Sequence, residues 1–132
     1  MPRFVLLEHV GAPDDPAGIH YDLLLDAGHG LCRTWRLSAV PRPGGPPVDA
    51  GPLPAHRSAW LDHEAGEVSG GRGFARRIDA GLYEPAVAAA DHSGAGSEVA
   101  VTLSGTRLAG RLQLRRDGDR WSGRIVAPAP PG

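Results

Sequence analysis

The sequence predicts a mostly β fold, a compact antiparallel β-barrel with little helix. Three observations carry that reading. Short runs of β-forming residues recur at close spacing along the chain. Turn chemistry stands between nearly all of them, and Gly (19) plus Pro (13) are distributed as punctuation between apolar runs. No segment sustains a helical period over several turns. Roughly eight short strands arranged this way argue for an antiparallel barrel or sandwich.

In order, Arg3 to Val10 (RFVLLEHV) and Ile19 to Asp26 (IHYDLLLD) are the first two strands, with Gly11 to Gly18 (GAPDDPAG) as the loop between them. The tight turn Ala27-Gly28-His29-Gly30 leads into a third alternating run, Gly30 to Ser38. Pro41 to Pro54 then brings six prolines and three glycines, which reads as an extended surface connection and not as a central strand. His56 to His63 reads as a short helical turn or an irregular strand. Strand-like runs resume at Gly73 to Ile78, Gly81 to Val87, Glu98 to Ser104, Arg107 to Arg115 and Arg120 to Val126. Asp79-Ala80-Gly81, Gly105-Thr106 and Asp117-Gly118-Asp119 supply turns among them. Residues 1–126 form one domain in this reading, and Ala127 to Gly132 (APAPPG) is a Pro-rich tail.

Composition sets the outer limits. The 132 residues are one domain's worth, 41% apolar and 22% charged, ordinary for a soluble globular chain. No apolar stretch approaches the ~20 residues of a membrane span, no export signal is visible, and the single cysteine, Cys32, permits no internal disulfide. The expectation is a cytoplasmic protein with no membrane association. The net charge of −1 excludes a strong global field toward nucleic acid. All fourteen basic residues are arginine, so any phosphate contact is made by a planar, bidentate guanidinium.

The chemistry-bearing pattern lies on the first two strands. Residues i and i+2 of a strand share a face, so His20 and Asp22 project together with their Cα atoms about 7 Å apart. His9, at the end of the preceding strand, reaches the same face if the two strands pair antiparallel. Two histidines and one carboxylate with open positions make a facial metal site suited to Mn²⁺ or Fe²⁺, and also possible for Zn²⁺. Cys32 reads as an inert buried thiol, His63 and His92 as surface residues, and Trp121 as core.

The ordered set His9, His20-Tyr21-Asp22 and His56, followed by the acidic-Gly stretch and by Asp79 to Glu84 (DAGLYE), resembles the 3′-phosphoesterase module of bacterial DNA ligase D. The stand-alone members of that DNA polymerase ligase N-terminal domain family are the nearest in form, over about Arg3 to Arg116. The resemblance implies a β-barrel whose cleft binds a divalent ion, Mn²⁺ preferred. It implies a phosphodiesterase and phosphomonoesterase that trims 3′-terminal ribonucleotides and 3′-phosphates to a 3′-hydroxyl during DNA repair. His9, His20 and Asp22 are then the metal ligands, and His56 meets the scissile phosphate. The partners implied are nucleic-acid 3′ ends and a repair polymerase or ligase, with the module acting as a monomer.

The chain departs from that pattern at several points. Leu24 stands where the modules read arginine, with Arg36 or Arg76 as substitute guanidiniums. Trp60 stands where the larger modules place a tyrosine, which keeps an aromatic face and loses a hydroxyl. The loop from His9 to His20 is longer, and the chain starts directly at the first strand. These departures leave a second expectation, a nucleic-acid-end-binding module with weakened or absent catalysis. A third, a non-haem iron oxygenase, shares the His-x-Asp pattern but has no evident arginine anchor for an oxoacid.

Overall fold

Alternation along the strands sets the architecture. In Ile19–Asp26, Tyr21, Leu23 and Leu25 face one way while His20, Asp22 and Leu24 face the other. The first face joins a large core drawn from all round the molecule, including Phe4, Leu6, Trp35, Leu37, Ala50, Leu103, Leu112, Leu114 and Ile125. Side chains from so many strands converge only if the sheet curls around them. The computed structural model, which describes residues 2–85 and 98–126, has that form.

Its elements are β1 (Arg3–Val10), β2 (Ile19–Asp26), β3 (Leu31–Leu37), β4 (Val48–Arg57), a 3₁₀ turn (Ser58–Asp62), β5 (Ala65–Glu67), β6 (Phe74–Pro85), β7 (Glu98–Ser104), β8 (Ala109–Asp117) and β9 (Arg120–Val126). They form one antiparallel sheet in the order β1-β2-β3-β4-β9-β8-β7-β6-β5, and β1 also pairs with β6, closing a ring. The expected β-rich fold with little helix is therefore present. The ring is not a regular barrel. Its β4–β9 joint is only Val48↔Gly123 and Asp49↔Ser122, supplemented by a bridge between Pro43 and Ile125.

Three expectations change. Pro41–Pro54 is not all connection, because β4 begins at Val48. Beyond Asp49, β4 is paired on its β3 side alone. Such an edge tolerates Pro52 and Pro54, which have no N–H to donate. Asp79-Ala80-Gly81 is not a turn, because β6 runs straight through it. A register shift opposite Leu6 and Leu7 leaves Ile78 as the extra residue of a bulge. His56 to His63 divides into the end of β4 and the 3₁₀ turn. The three-residue β5 had no counterpart in the sequence reading. Val87, His92 and the tail 127–132 lie outside the described residues.

The outward face of β1–β3 carries a second apolar cluster, Val5, Leu7, Leu24 and Cys32, covered by Leu61 and Trp60 of the 3₁₀ turn. Burying a leucine such as Leu24 or Leu61 contributes roughly 2 kcal/mol of transfer free energy, which holds the turn down on the sheet. Next to it the backbone closes tightly. Gly73 has φ +93° and its α-carbon lies against β1, where a Cβ would overlap the Val10 carbonyl. The loop 68–73 is thus held against the end of β1.

Candidate metal centre

The β1–β2 register places His9 directly opposite His20 and Leu7 opposite Asp22. Cross-strand partners share a face, so the three polar side chains meet on the outside of the ring, beside the second apolar cluster. One ligand atom from each of His9, His20 and Asp22 lies within 4.8 Å of the other two, and the imidazole centroids are 4.7 Å apart. His20 and Asp22 are buried, and His9 is half-buried. The expected ligand set is therefore brought together.

Hydrogen bonds on the outer side of each ring decide which nitrogen faces inward. His20 Nδ1 donates to Asp15 Oδ2 at 2.9 Å, and His9 Nε2 donates to the Arg72 carbonyl at 2.6 Å. A carboxylate and a carbonyl only accept, so those nitrogens carry the protons. His20 Nε2 and His9 Nδ1 then turn toward Asp22, at 3.3 Å from Oδ1 and Oδ2 respectively. His20 Nε2 and Asp22 Oδ1 are buried, yet their contact is too poorly aligned to be a hydrogen bond, and neither has another partner among the described residues. Lone pairs facing lone pairs at this range need a cation or a proton between them.

The charge states follow. Burial pushes the His20 pKa down, but the Asp22 carboxylate close beside it and the hydrogen bond to Asp15 outweigh that and hold the pKa above the ordinary imidazole value. Asp15 is held below the ordinary carboxylate value, chiefly by its hydrogen bond from His20. The raised His20 pKa favours a proton in that place. A divalent ion fits the same place, because the two nitrogens and the carboxylate form a facial donor set with each imidazole fixed from behind.

A cleft of about 570 Å³ opens over this cluster, lined by His9 and Asp22 and by three further residues read from the sequence: Arg36, His56 and Trp60. Arg36 sits opposite Asp22 in the β2–β3 register. Its Nη2 donates to Asp14 Oδ2 at 3.3 Å, while its buried Nε has no partner among the described residues. His56 Nδ1 donates to the Pro54 carbonyl at 3.0 Å, which leaves Nε2 available. Trp60 packs against the second apolar cluster with its ring 4.7 Å from that of His63.

Arg76 is not part of the cleft wall. Its neighbour Ala75 lines the cleft, so alternation along β6 turns Arg76 to the other face, where it pairs with Glu8 at 3.2 Å. Leu24, at the position of the absent arginine, is fully buried in the apolar cluster. Cys32 is fully buried as well, and desolvation raises its thiol pKa, in keeping with an inert residue. His63 donates to the Ala75 carbonyl and stands apart from the cluster. Trp121 packs on the core, 4.9 Å from Trp35.

Two residues of the site went unread in the sequence, Asp15, which fixes His20, and Asp14, which holds Arg36; nor was the part of the Arg72 carbonyl in fixing His9 foreseen. The adjacent carboxylates of the Gly-bounded loop were the one available signal, an acidic pair just before a candidate ligand. Compared with known families, the chain matches no family model. No curated protein matches it at a significant level either.

Proposed function

We propose that this protein is a divalent-metal-dependent phosphoesterase that trims a 3′-terminal ribonucleotide or 3′-phosphate from a nucleic-acid end and leaves a 3′-hydroxyl. The observation that carries the reading is the convergence of His9, His20 and Asp22 at the floor of a cleft that Arg36, His56 and Trp60 also line. A donor set of two imidazoles and one carboxylate would hold the ion, Mn²⁺ or Zn²⁺. Bound there, a divalent ion supplies Lewis-acid polarisation of a phosphoryl oxygen and lowers the pKa of water.

The chain's own residues do the rest. Arg36 offers a guanidinium to the non-bridging phosphate oxygens, and its unpartnered Nε is the group such an oxygen would satisfy. It takes over from the β2 position where Leu24 stands. His56, fixed by the Pro54 carbonyl, presents Nε2 to the cleft, where it accepts a proton when neutral and donates one to the leaving oxygen when charged. Trp60 supplies an apolar wall against which a sugar or base packs and which keeps bulk water out. The product 3′-hydroxyl is the form that a polymerase or ligase extends, which places the protein, as a monomer, in cytoplasmic DNA repair. Among the described residues no helix is long and apolar enough to cross a membrane.

One observation favours a second reading, an end-binding module without turnover. Leu24 is buried, and the two arginines that line the cleft, Arg36 and Arg72, are already engaged by Asp14 and Ser69. A gel assay separates the two, using purified protein with Mn²⁺ on primer-templates ending in a ribonucleotide or a 3′-phosphate, with His20→Ala alongside. Conversion to the 3′-hydroxyl by the wild type and not by the variant is expected. Retained binding of the 3′-phosphorylated end with no conversion would move the protein to the second reading.

A further inference from the structure

Trp60 has two sides. One belongs to the cleft over the metal centre. The other borders a second depression of about 530 Å³, lined by Arg57, Ala59, Trp60, His63, Ser69 and Arg72. Trp60 and Arg72 line both hollows, so the two meet around one indole ring. No carboxylate is among the residues lining the second hollow. The acids nearest to it in sequence are drawn elsewhere, Asp62 to Arg3 at 2.9 Å and Glu64 to Arg77 at 3.5 Å.

What lines it is chemistry for an anion on a chain. Arg72 is braced, with Nε donating to the Ser69 carbonyl at 2.7 Å and Nη2 to Ser69 Oγ at 3.2 Å, so its guanidinium meets a phosphate with little ordering left to do. Arg57 is exposed and has no ion-pair partner among the described residues. Trp60 is stiffened by the His63 ring beside it, which suits a stacking platform. Arg72 also accepts the His9 hydrogen bond through its carbonyl, so the groove and the metal cluster are tied together by one residue.

We infer that this groove holds the internal phosphodiester of a single nucleic-acid strand whose 3′ end occupies the metal cleft, with Trp60 stacking on a base between the two. The inference rests on the phosphoesterase reading and deepens it by assigning the strand's internal phosphate to a second groove beside the cleft. Binding energy gained at the internal phosphate positions the terminal one.

The test is fluorescence anisotropy with a 5′-labelled, 3′-phosphorylated strand of about ten nucleotides, a span within one small β-barrel's usual site size. Arg57→Gln is compared with Arg124→Gln, which removes the same charge from β9, a strand that pairs with β4 only at the end opposite to Arg57. Arg57→Gln is expected to weaken binding by about fivefold to tenfold and to lower the slope of log affinity against log salt by about 0.7. In hydrolysis it raises KM far more than it lowers kcat. Equal behaviour of the two variants would overturn the inference. So would displacement of the strand by a polyglutamate peptide at matching affinity, since that would make the groove a protein-docking site. Failure of the groove and failure of the activity are separable. Arg57-dependent strand binding without turnover keeps the groove and removes the hydrolase, whereas turnover with a KM indifferent to Arg57 does the reverse.

Discussion

His20 has two ring nitrogens, and only the one that is not protonated can serve a metal; Asp15 selects it. Because Asp15 Oδ2 takes the Nδ1 proton and Oδ1 accepts from the Ala17 N–H, the loop 11–18 and the imidazole are locked to each other. On the proposed metal reading Asp15 is thus a positioning residue that acts through His20. Asp15→Ala is expected to lower metal affinity by about 10-fold to 100-fold while activity at saturating metal largely recovers, with Asp15→Asn intermediate because its amide oxygen can still accept. Titration calorimetry with Mn²⁺ and a metal-dependence curve for kcat would check this. A loss of kcat that added metal does not restore would give Asp15 a different role. The convergence of His9, His20 and Asp22 was legible in the sequence, because a period of two and a hairpin are enough to put the three on one face. The second hydrogen bond of His9 was not, since its acceptor is the backbone carbonyl of Arg72, 63 residues away. Any residue type can present a carbonyl, so no sequence pattern marks it.

At the scale of elements, the bulge in β6 organises the far end of the ring. Asp79 follows the extra residue Ile78 and is buried, with its carboxylate accepting from the N–H groups of Ala80, Thr106, Arg107 and Leu108 at 2.7 to 3.0 Å. The β7–β8 turn is thereby folded around one side chain. It fits only because Gly105 has no Cβ, which would come 2.6 Å from Asp79 Oδ2. Asp79→Ala leaves those donors without their acceptor and is expected to destabilise the fold by roughly 3 kcal/mol or more. Urea unfolding with an unchanged m-value would show it, and a midpoint shift of under half that size would mean water replaces the carboxylate at little cost. The same element shows where sequence reading stops. Asp-Ala-Gly has the composition of a turn, and in this chain it lies within a paired strand because the partner β1 and the bulge accept it. Conversely, β1, β2 and β9 were legible to the residue, each a β-rich run bounded by Gly, Asp or Pro. Pro52 and Pro54 misdirected the reading of β4, because composition does not reveal which strand edges are left unpaired.

For the molecule as a whole, the candidate metal cluster lies outside the ring, apart from the core that drives folding. The thirteen buried residues of the interior core lie apart from His20 and Asp22, and none of them belongs to the candidate cluster. Small metal-nucleated domains fold only when the ion arrives, because the ion substitutes for a core they do not have. Here the core is present and the ring is closed by the backbone pairing of eight β1–β6 residue pairs, seven of them outside the His9, His20 and Asp22 cluster. Chelation is therefore expected to leave the far-UV circular dichroism spectrum intact. On the proposed reading metal binds the native state in preference to the unfolded chain and so adds stability by linkage, about 2.7 kcal/mol at a free concentration 100 times the dissociation constant. Thermal unfolding followed across a Mn²⁺ or Zn²⁺ series should show a melting temperature that rises with the logarithm of metal concentration. In His20→Ala that rise disappears, while the metal-free spectrum keeps its β signature. A chain that unfolds in EDTA would show that the interior core is insufficient and that the cluster is structural. A rise that survives in His20→Ala would place the ion elsewhere on the surface and remove the basis for hydrolysis at this cleft.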